Sequence, residues 1–258
     1  MRTQRLYTEA LRAEFTDRLE GTMQYVTWKS AQTLLIDADD TLWENNIYFE
    51  RAIASFISYL DHHEYSPAEV REKLNAVERE HTSKHGYGVS SFRQSLVTCF
   101  ERLSQEPIAP ERHDRIVSFA QSILDQEIEL LPGVEVTLPQ LASRHRLILM
   151  TKGNEREQMD KLERSGLRGY FTAVEVSREK NPYAYCAVCD KYTLEPASTW
   201  MIGNSPRSDI NPALASGLHA VYIHHPNTWV LEHDELDPAP DGQKLLEVES
   251  FLKLAEIF

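Results

Sequence analysis

Five short apolar runs recur along this chain, and most end abruptly in polar residues able to do chemistry. They are Thr33-Leu34-Leu35-Ile36, Leu147-Ile148-Leu149-Met150, Ala173-Val174-Glu175-Val176, Thr199-Trp200-Met201-Ile202 and Ala220-Val221-Tyr222-Ile223. A near-continuous apolar run of this length suits a strand covered on both faces, where alternation with polar residues is not needed. Segments with helical spacing lie around them: Val134 to Arg144, Glu155 to Ser165, Tyr183 to Tyr192 and Pro212 to Ser216. Strands alternating with helices predict an α/β fold, a doubly wound parallel sheet with helices on both faces.

Between the first and second runs the pattern changes. Residues 45–130 read as helices throughout, with no convincing strand. Ile47 to Leu60 is amphipathic, and Ser66-Pro67-Ala68-Glu69 offers an N-cap, a first-turn proline and a capping-box acid. A further helix follows Gly88, with Ser90 as its expected cap, and another begins after Pro110. Pro132-Gly133 marks the return to alternation. The expected organisation is an α/β core built from 1–44 and 131–258, with an all-helical domain, 45–130, inserted after the first strand. Residues 1–30 read as a helical lead-in, with Leu6, Ala10, Leu11 and Phe15 at helical spacing.

Charge narrows the partners. The chain has 258 residues, with 27 basic against 40 acidic side chains and a formal net charge of −13. Such a surface repels nucleic-acid phosphates and anionic membranes, so neither is an expected partner. A phosphorylated small molecule remains compatible, because a bound cation can offset charge locally. Cys99, Cys186 and Cys189 are the only cysteines, too few for a disulfide framework. Cys186 and Cys189 form a lone C-x-x-C with no second pair, read as two small residues on a helix. No apolar run is long enough to span a membrane, and no leader pattern opens the chain, so the expected location is the cytoplasm. Nothing in the sequence signals an oligomeric state.

The chemistry gathers where the strands end. In an open parallel sheet the C-terminal strand ends share one edge, and ligands bind there. The first run leads into Asp37-Ala38-Asp39-Asp40-Thr41, the second into Thr151-Lys152-Gly153-Asn154 and the fourth into Gly203-Asn204-Ser205-Pro206-Arg207-Ser208-Asp209; Lys180 follows the third. Two carboxylates two residues apart cannot both be buried and ionised without a cation. Mg²⁺ resolves that repulsion, since it takes oxygen ligands from one or two carboxylates together with substrate phosphate and water. One carboxylate can then attack phosphorus while the other handles the leaving-group proton. A threonine hydroxyl, backbone N–H groups and a lysine ammonium suit the phosphoryl oxygens.

These four clusters, in this order and spacing, resemble the sequence motifs of the haloacid dehalogenase-like superfamily, in its phosphatase branch. The likeness covers residues 31 to about 225 and extends to Leu131-Pro132-Gly133-Val134 and to Ser165-Gly166-Leu167 with Tyr170-Phe171. The helical block stands where that family places a cap between motifs one and two. The resemblance implies a Mg²⁺-dependent phosphatase acting on a small phosphorylated metabolite, with Asp37 as nucleophile and Asp39 as general acid and base. It implies that Thr151 and Lys180 hold the phosphoryl group, and that Asp37, the Asp39 carbonyl, Asn204 and Asp209 bind the metal. Thr41, Trp43, Lys152 and Gly153 are further expected substrate or phosphate contacts, Trp43 because it stands at the hinge into the helical block. Asp40 is read as a turn or capping acid.

Two departures stand out. The fourth motif carries Asn204 where the family usually has Asp, which removes one negative charge and predicts weaker metal binding. The segment Arg178-Glu179-Lys180-Asn181-Pro182 is shorter than in many relatives, and Lys152 is the competing lysine. A phosphomutase or a haloacid dehalogenase would use the same fold. Asp39 argues against the dehalogenase, and retention of Asp37, Asp39, Thr151 and Lys180 argues against a binding or regulatory protein with a weakened site.

Overall fold

The computed structural model describes residues 30–60, 64–104 and 108–258. The helical lead-in expected before residue 30 lies outside the described residues. Six parallel strands form one sheet: β1 (Thr33–Ile36), β2 (Arg146–Lys152), β3 (Ala173–Ser177), β4 (Thr199–Gly203), β5 (His219–Ile223) and β6 (Leu245–Val248). Their order is β3-β2-β1-β4-β5-β6. β1 is central, with Leu35 in register with Ile148 of β2 and Met201 of β4. The strand order reverses on either side of β1, so the crevice beyond its C-terminal end is the topological switch point where such sheets bind ligands.

Burial on both faces explains the apolar runs. Leu34 and Ile36 point to one side, into a cluster with α5 (Val134–Ala142), α6 (Glu155–Arg164) and the C-terminal α9 (Leu254–Ile257). Leu35 points to the other, where it meets Tyr185 and Val188 of α7 (Pro182–Tyr192) and Ala213 of α8 (Asn211–Ala215). The expected doubly wound parallel sheet is therefore the observed one. β6 escapes the sequence reading because it is an edge strand of four residues, half-buried and interrupted by the exposed Glu247.

Four helices occupy the interval after β1: α1 (Asn46–Leu60), α2 (Pro67–His85), α3 (Val89–Ser104) and α4 (Pro110–Leu124). They enclose a cluster of their own around Phe56, Leu74, Leu96 and Ile116, one from each helix and all fully buried. Burying a side chain of this kind contributes about 1.5–3 kcal/mol. Ser66 and Glu69 form the anticipated capping box on α2. Ser90 does not cap α3, because the helix already starts at Val89. That first N–H donates instead to the Glu157 carboxylate of α6, at 3.0 Å. The two crossings between sheet and helices run side by side, since Glu44 N–H donates to Glu129 O and Leu131 N–H to Leu42 O.

Glu78 is an acid inside this helical core, 5% exposed and 3.7 Å from the Arg71 guanidinium. Burial pushes its pKa up to about 7 although Arg71 opposes the shift. A folded-state pKa above the unfolded one means that the folded chain holds the extra proton. Its stabilisation is therefore complete below about pH 4.5 and lost as pH rises through about 7. Thermal unfolding at about pH 4.5 and about pH 8 should show this loss in the wild type and a flatter profile in Glu78→Gln. Equal slopes in the two proteins would refute the assignment.

Candidate active site

The polypeptide leaves β1 still in register, with Asp37 N–H donating to Ile202 O of β4 at 2.9 Å. It then folds over tightly. Leu42 N–H returns to Ala38 O at 2.8 Å, and Asp40 takes a left-handed conformation at φ 59°. Asp40 turns its carboxylate onto the start of α1, accepting from Asn45 N–H at 2.9 Å and Asn46 N–H at 3.0 Å. This is the capping role expected of it. Because it is buried, its pKa is nonetheless pushed up to about 7.

Three buried charges hold the centre. The Lys180 ammonium donates to Asp37 Oδ1 and, at 2.7 Å, to Asp209 Oδ1. Asp209 Oδ2 accepts from Ser205 N–H at 3.0 Å. Burial first, and then the negative charge of Asp209, push the Asp37 pKa up to about 7, against the pull of Lys180. The Lys180 pKa goes above its ordinary value, because the two carboxylates outweigh its burial. Asp209 approaches so closely that a Cβ built on Gly203 would lie 2.2 Å from its Oδ2. The first residue of the fourth cluster must therefore lack a side chain.

Asp39, two residues on, faces a different set of partners. Its Oδ1 accepts from Trp43 Nε1 at 2.8 Å and from the Lys161 ammonium, and its Oδ2 accepts from Gln158 Nε2 at 2.9 Å. Burial alone would raise its pKa, but Lys161, Gln158 and Trp43 together bring it below the ordinary value. Sequence reading missed Gln158 and Lys161. They sit three residues apart on α6, hence on one helix face, but nothing local says which face meets the strand ends.

A cavity of about 490 Å³ opens over this centre. Asp37, Asp39, Thr151, Lys152, Gly153, Lys180, Asn204 and Asp209 all line it. Thr41 and Trp43 do not, and both are fully buried. The expectation that they touch substrate is corrected: Trp43 is a core residue whose indole orients Asp39, and Thr41 lies behind the nucleophile. Gly153 lines the cavity, but its N–H donates to Ser177 O at 3.2 Å and is not turned to a phosphate. Lys152 sends its ammonium to Glu232 and, at 2.9 Å, to Ser208 Oγ, leaving Lys180 as the lysine on Asp37. Tyr87, from the loop between α2 and α3, lies over Lys152 at 4.3 Å and donates its hydroxyl to Glu179 at 2.9 Å.

The donors around Asp37 suit a hard divalent cation. Thr41 Oγ1 stands 3.1 Å from Asp37 Oδ2 and 3.2 Å from Asn204 Oδ1, so a carboxylate and an amide oxygen converge on one spot. Two buried carboxylates, Asp37 and Asp209, share a single ammonium there, and burial first and then the Asp209 charge raise the Asp37 pKa. An oxygen-only set with excess charge fits Mg²⁺. A second group of possible ligands, Asp40, Glu44 and His225, lies nearby with atoms within 4.8 Å of one another. The Asp40 oxygens in that group already accept the α1 N–H groups.

Comparison with known proteins agrees with this geometry. Residues 31–217 match the model of the haloacid dehalogenase-like hydrolase family. The chain belongs to that family. It is a hydrolase with the family's Rossmann-like sheet. Its first curated relatives are the N-acylneuraminate-9-phosphatases of Homo sapiens, 32% identical over 102 residues, and Rattus norvegicus, 30% identical over 100 residues. Each match covers 37% of this chain and 40% of the relative. Among solved structures, a haloacid dehalogenase-like family hydrolase from Xanthomonas campestris is 28% identical with a TM-score of 0.73, over 89% of this chain and 95% of that one. A putative HAD-hydrolase from Bacillus subtilis, solved bound to magnesium, shares the fold at 17% identity with a TM-score of 0.63, covering 89% and 99% of the two chains. No helix among the described residues is long and apolar enough to cross a membrane.

Gly203→Ala tests the packing of the charged centre. The new methyl group has to displace Asp209 and with it Lys180. Melting temperature should fall by several degrees, and hydrolysis should drop at least about a hundredfold. A variant with wild-type stability and activity would show that Asp209 is not held where the structure has it.

Proposed function

We propose that this hydrolase is a Mg²⁺-dependent phosphatase that cleaves a small-molecule phosphate monoester through an aspartyl-phosphate on Asp37. The observation that carries the reading is the placement of two carboxylates, Asp37 and Asp39, on one cavity with separate sets of partners. Asp37 is anchored by Lys180 and Thr41, with its oxygens aimed at the switch-point crevice. Asp39 is oriented by Trp43, Gln158 and Lys161 toward the same space.

In the first step an Asp37 carboxylate oxygen attacks phosphorus, and the bond from phosphorus to the ester oxygen breaks. Asp39 passes a proton to that departing oxygen. Lys161 favours the ionised form of Asp39, so the monoester brings this proton with it. In the second step Asp39 takes a proton from water, whose oxygen attacks phosphorus. The Asp37–phosphorus bond breaks and inorganic phosphate leaves. Thr151 and Lys180 line the cavity where they can hold phosphoryl oxygens. Mg²⁺, held by Asp37, Asn204, the Asp39 carbonyl and, directly or through water, Asp209, would neutralise charge on the phosphoryl group.

We assign residues 45–130 as a cap over residues 1–44 and 131–258, closing the cavity against water. The names of the curated relatives support a phosphomonoester substrate. Asp39 facing the cavity supports phosphoryl transfer over dehalogenation, which needs no second acid.

Asp37→Asn should release phosphate from phenyl phosphate at least about a thousandfold more slowly than wild type in the presence of Mg²⁺. Full activity in that variant would remove the covalent mechanism. Chelation should abolish turnover and added Mg²⁺ restore it. Asn204→Asp should then reach half-maximal activity at a lower Mg²⁺ concentration, since it returns a negative charge to the oxygen set. Tighter Mg²⁺ dependence in wild type would overturn the assignment of Asn204.

A further inference from the structure

The cavity over Asp37 has two kinds of wall. The strand ends supply the charged one, and the helices of the insertion supply one that is largely apolar. Phe49 of α1 and Phe92 of α3 line it, with Ile123 and Leu124 at the end of α4 and Ile128 just beyond. Phe49 and Phe92 meet edge to face, with centroids 5.0 Å apart. Leu124 is 41% exposed, and Phe49, Ile123 and Ile128 are only half-buried. The end of α4 is tied in place, because Arg164 of α6 donates to Leu124 O at 3.4 Å and to Gln126 O. The uncovered leucine is therefore a fixed part of the wall.

The polar groups of the same wall are mostly taken up within the protein. The Ser95 hydroxyl donates to Ser91 O at 3.0 Å, and Thr82 to Glu78 O at 2.8 Å. Gln126 Nε2 donates to Ser122 O at 2.9 Å, and Tyr87 gives its hydroxyl to Glu179. Glu78 stands 3.7 Å from Arg71, and its Oε2, like Ser91 Oγ, is closed to solvent. Among the described residues, 45–130 bring no lysine, arginine or histidine to the lining. The lining cations, Lys152, Arg156, Lys161, Arg164 and Lys180, come from the sheet domain, which also carries the phosphoryl centre. Glu127 is exposed and adds negative charge on the helical side, which disfavours a second anionic group there. Apolar surface left uncovered on a cavity wall gains by meeting apolar atoms of a ligand, since water is then released from both. About 490 Å³ is room for an alcohol of several carbons beside the phosphoryl group.

We infer that Phe49, Phe92, Ile123, Leu124 and Ile128 form an apolar leaving-group pocket, and that the substrate is the phosphate monoester of an alcohol with a hydrophobic carbon body. This rests on the phosphatase reading and names its substrate class. The pocket selects against an alcohol that carries hydroxyls along its chain, because they would lose water on entering and find few free partners.

The test compares n-propyl phosphate, n-hexyl phosphate and sn-glycerol 3-phosphate with Mg²⁺ present. Glycerol 3-phosphate is the propyl ester with two added hydroxyls, and the hexyl ester adds three methylenes. Full burial of three methylenes is worth roughly fiftyfold. Wild type should prefer hexyl over propyl phosphate by at least about tenfold in kcat/KM, and propyl over glycerol 3-phosphate by at least about threefold. Leu124→Asn changes an exposed side chain, so its melting temperature should stay near that of wild type. Its hexyl-to-propyl ratio should fall at least about threefold, chiefly through KM. A flat alkyl series, or a wild-type preference for glycerol 3-phosphate over propyl phosphate, would overturn the proposal. So would equal losses on the two alkyl esters in Leu124→Asn, the result expected if the leucine only supports the fold. Calorimetry on Asp37→Asn reads the pocket apart from turnover. Hexyl phosphate should bind at least about tenfold more tightly than propyl phosphate, with a more negative heat-capacity change. Equal affinities would also overturn the pocket. Failure of wild type to hydrolyse any of the three esters strikes the phosphatase reading, a separate result, and the calorimetry then decides the pocket alone.

Discussion

The structure turns on one buried ammonium between two buried carboxylates. Lys180 joins Asp37, at the end of β1, to Asp209, beyond the end of β4, and all three are almost wholly removed from solvent. Removing ions from water is costly unless each finds a partner, so these groups tie neighbouring strand ends to one geometry. Gly203 makes the approach of Asp209 possible, and Ser205 N–H holds its other oxygen. One negative charge is left over. That surplus distinguishes a centre ready for a cation from an ordinary structural ion pair; together with burial, the larger cause, it raises the proton affinity of Asp37.

Around that centre the helical insertion and the sheet are joined by side chains that cross between them. Glu157 of α6 receives the first N–H of α3, a cap supplied from another part of the chain. Tyr87 reaches from the helical side over Lys152 and onto Glu179, while Lys161 links Asp39 to Asn45 at the hinge. A short tier of polar contacts thus separates two hydrophobic clusters, one between the helices and one in the sheet. The cavity passes through this tier. The strand ends bring Asp37, Asp39, Lys180 and Asp209 to its lining, and the helices bring Phe49, Ile53 and Phe92.

Asn204 shows how a departure from a family pattern can be absorbed. Its amide oxygen accepts from Thr41 beside Asp37, while its Nδ2 donates to Thr228 Oγ1 at 2.9 Å. A carboxylate in that place could not make the second bond as an acceptor without the threonine hydroxyl turning. The amide keeps an oxygen toward the candidate metal position and gives up a charge, which is the loss that the motif alone suggested.

The sequence by itself determined the sheet and its active edge. Uninterrupted apolar runs such as Leu34-Leu35-Ile36 can be satisfied only by cover on both faces, and a parallel sheet places every polar terminus along one rim. Asp37, Asp39, Thr151, Lys180, Asn204 and Asp209 were legible as candidates for that reason, and all six line one cavity; the turn-and-cap placement of Asp40 was legible too. β6 was not legible, since an exposed edge strand has no continuous apolar signature. Only the tertiary structure decided which bystanders join the site. Trp43, adjacent to the nucleophile in sequence, is sealed in the core; Gln158 and Lys161, more than a hundred residues away, hold Asp39. Helical periodicity says that two residues share a face but not what that face meets, and hydrogen bonds between distant segments leave no local pattern.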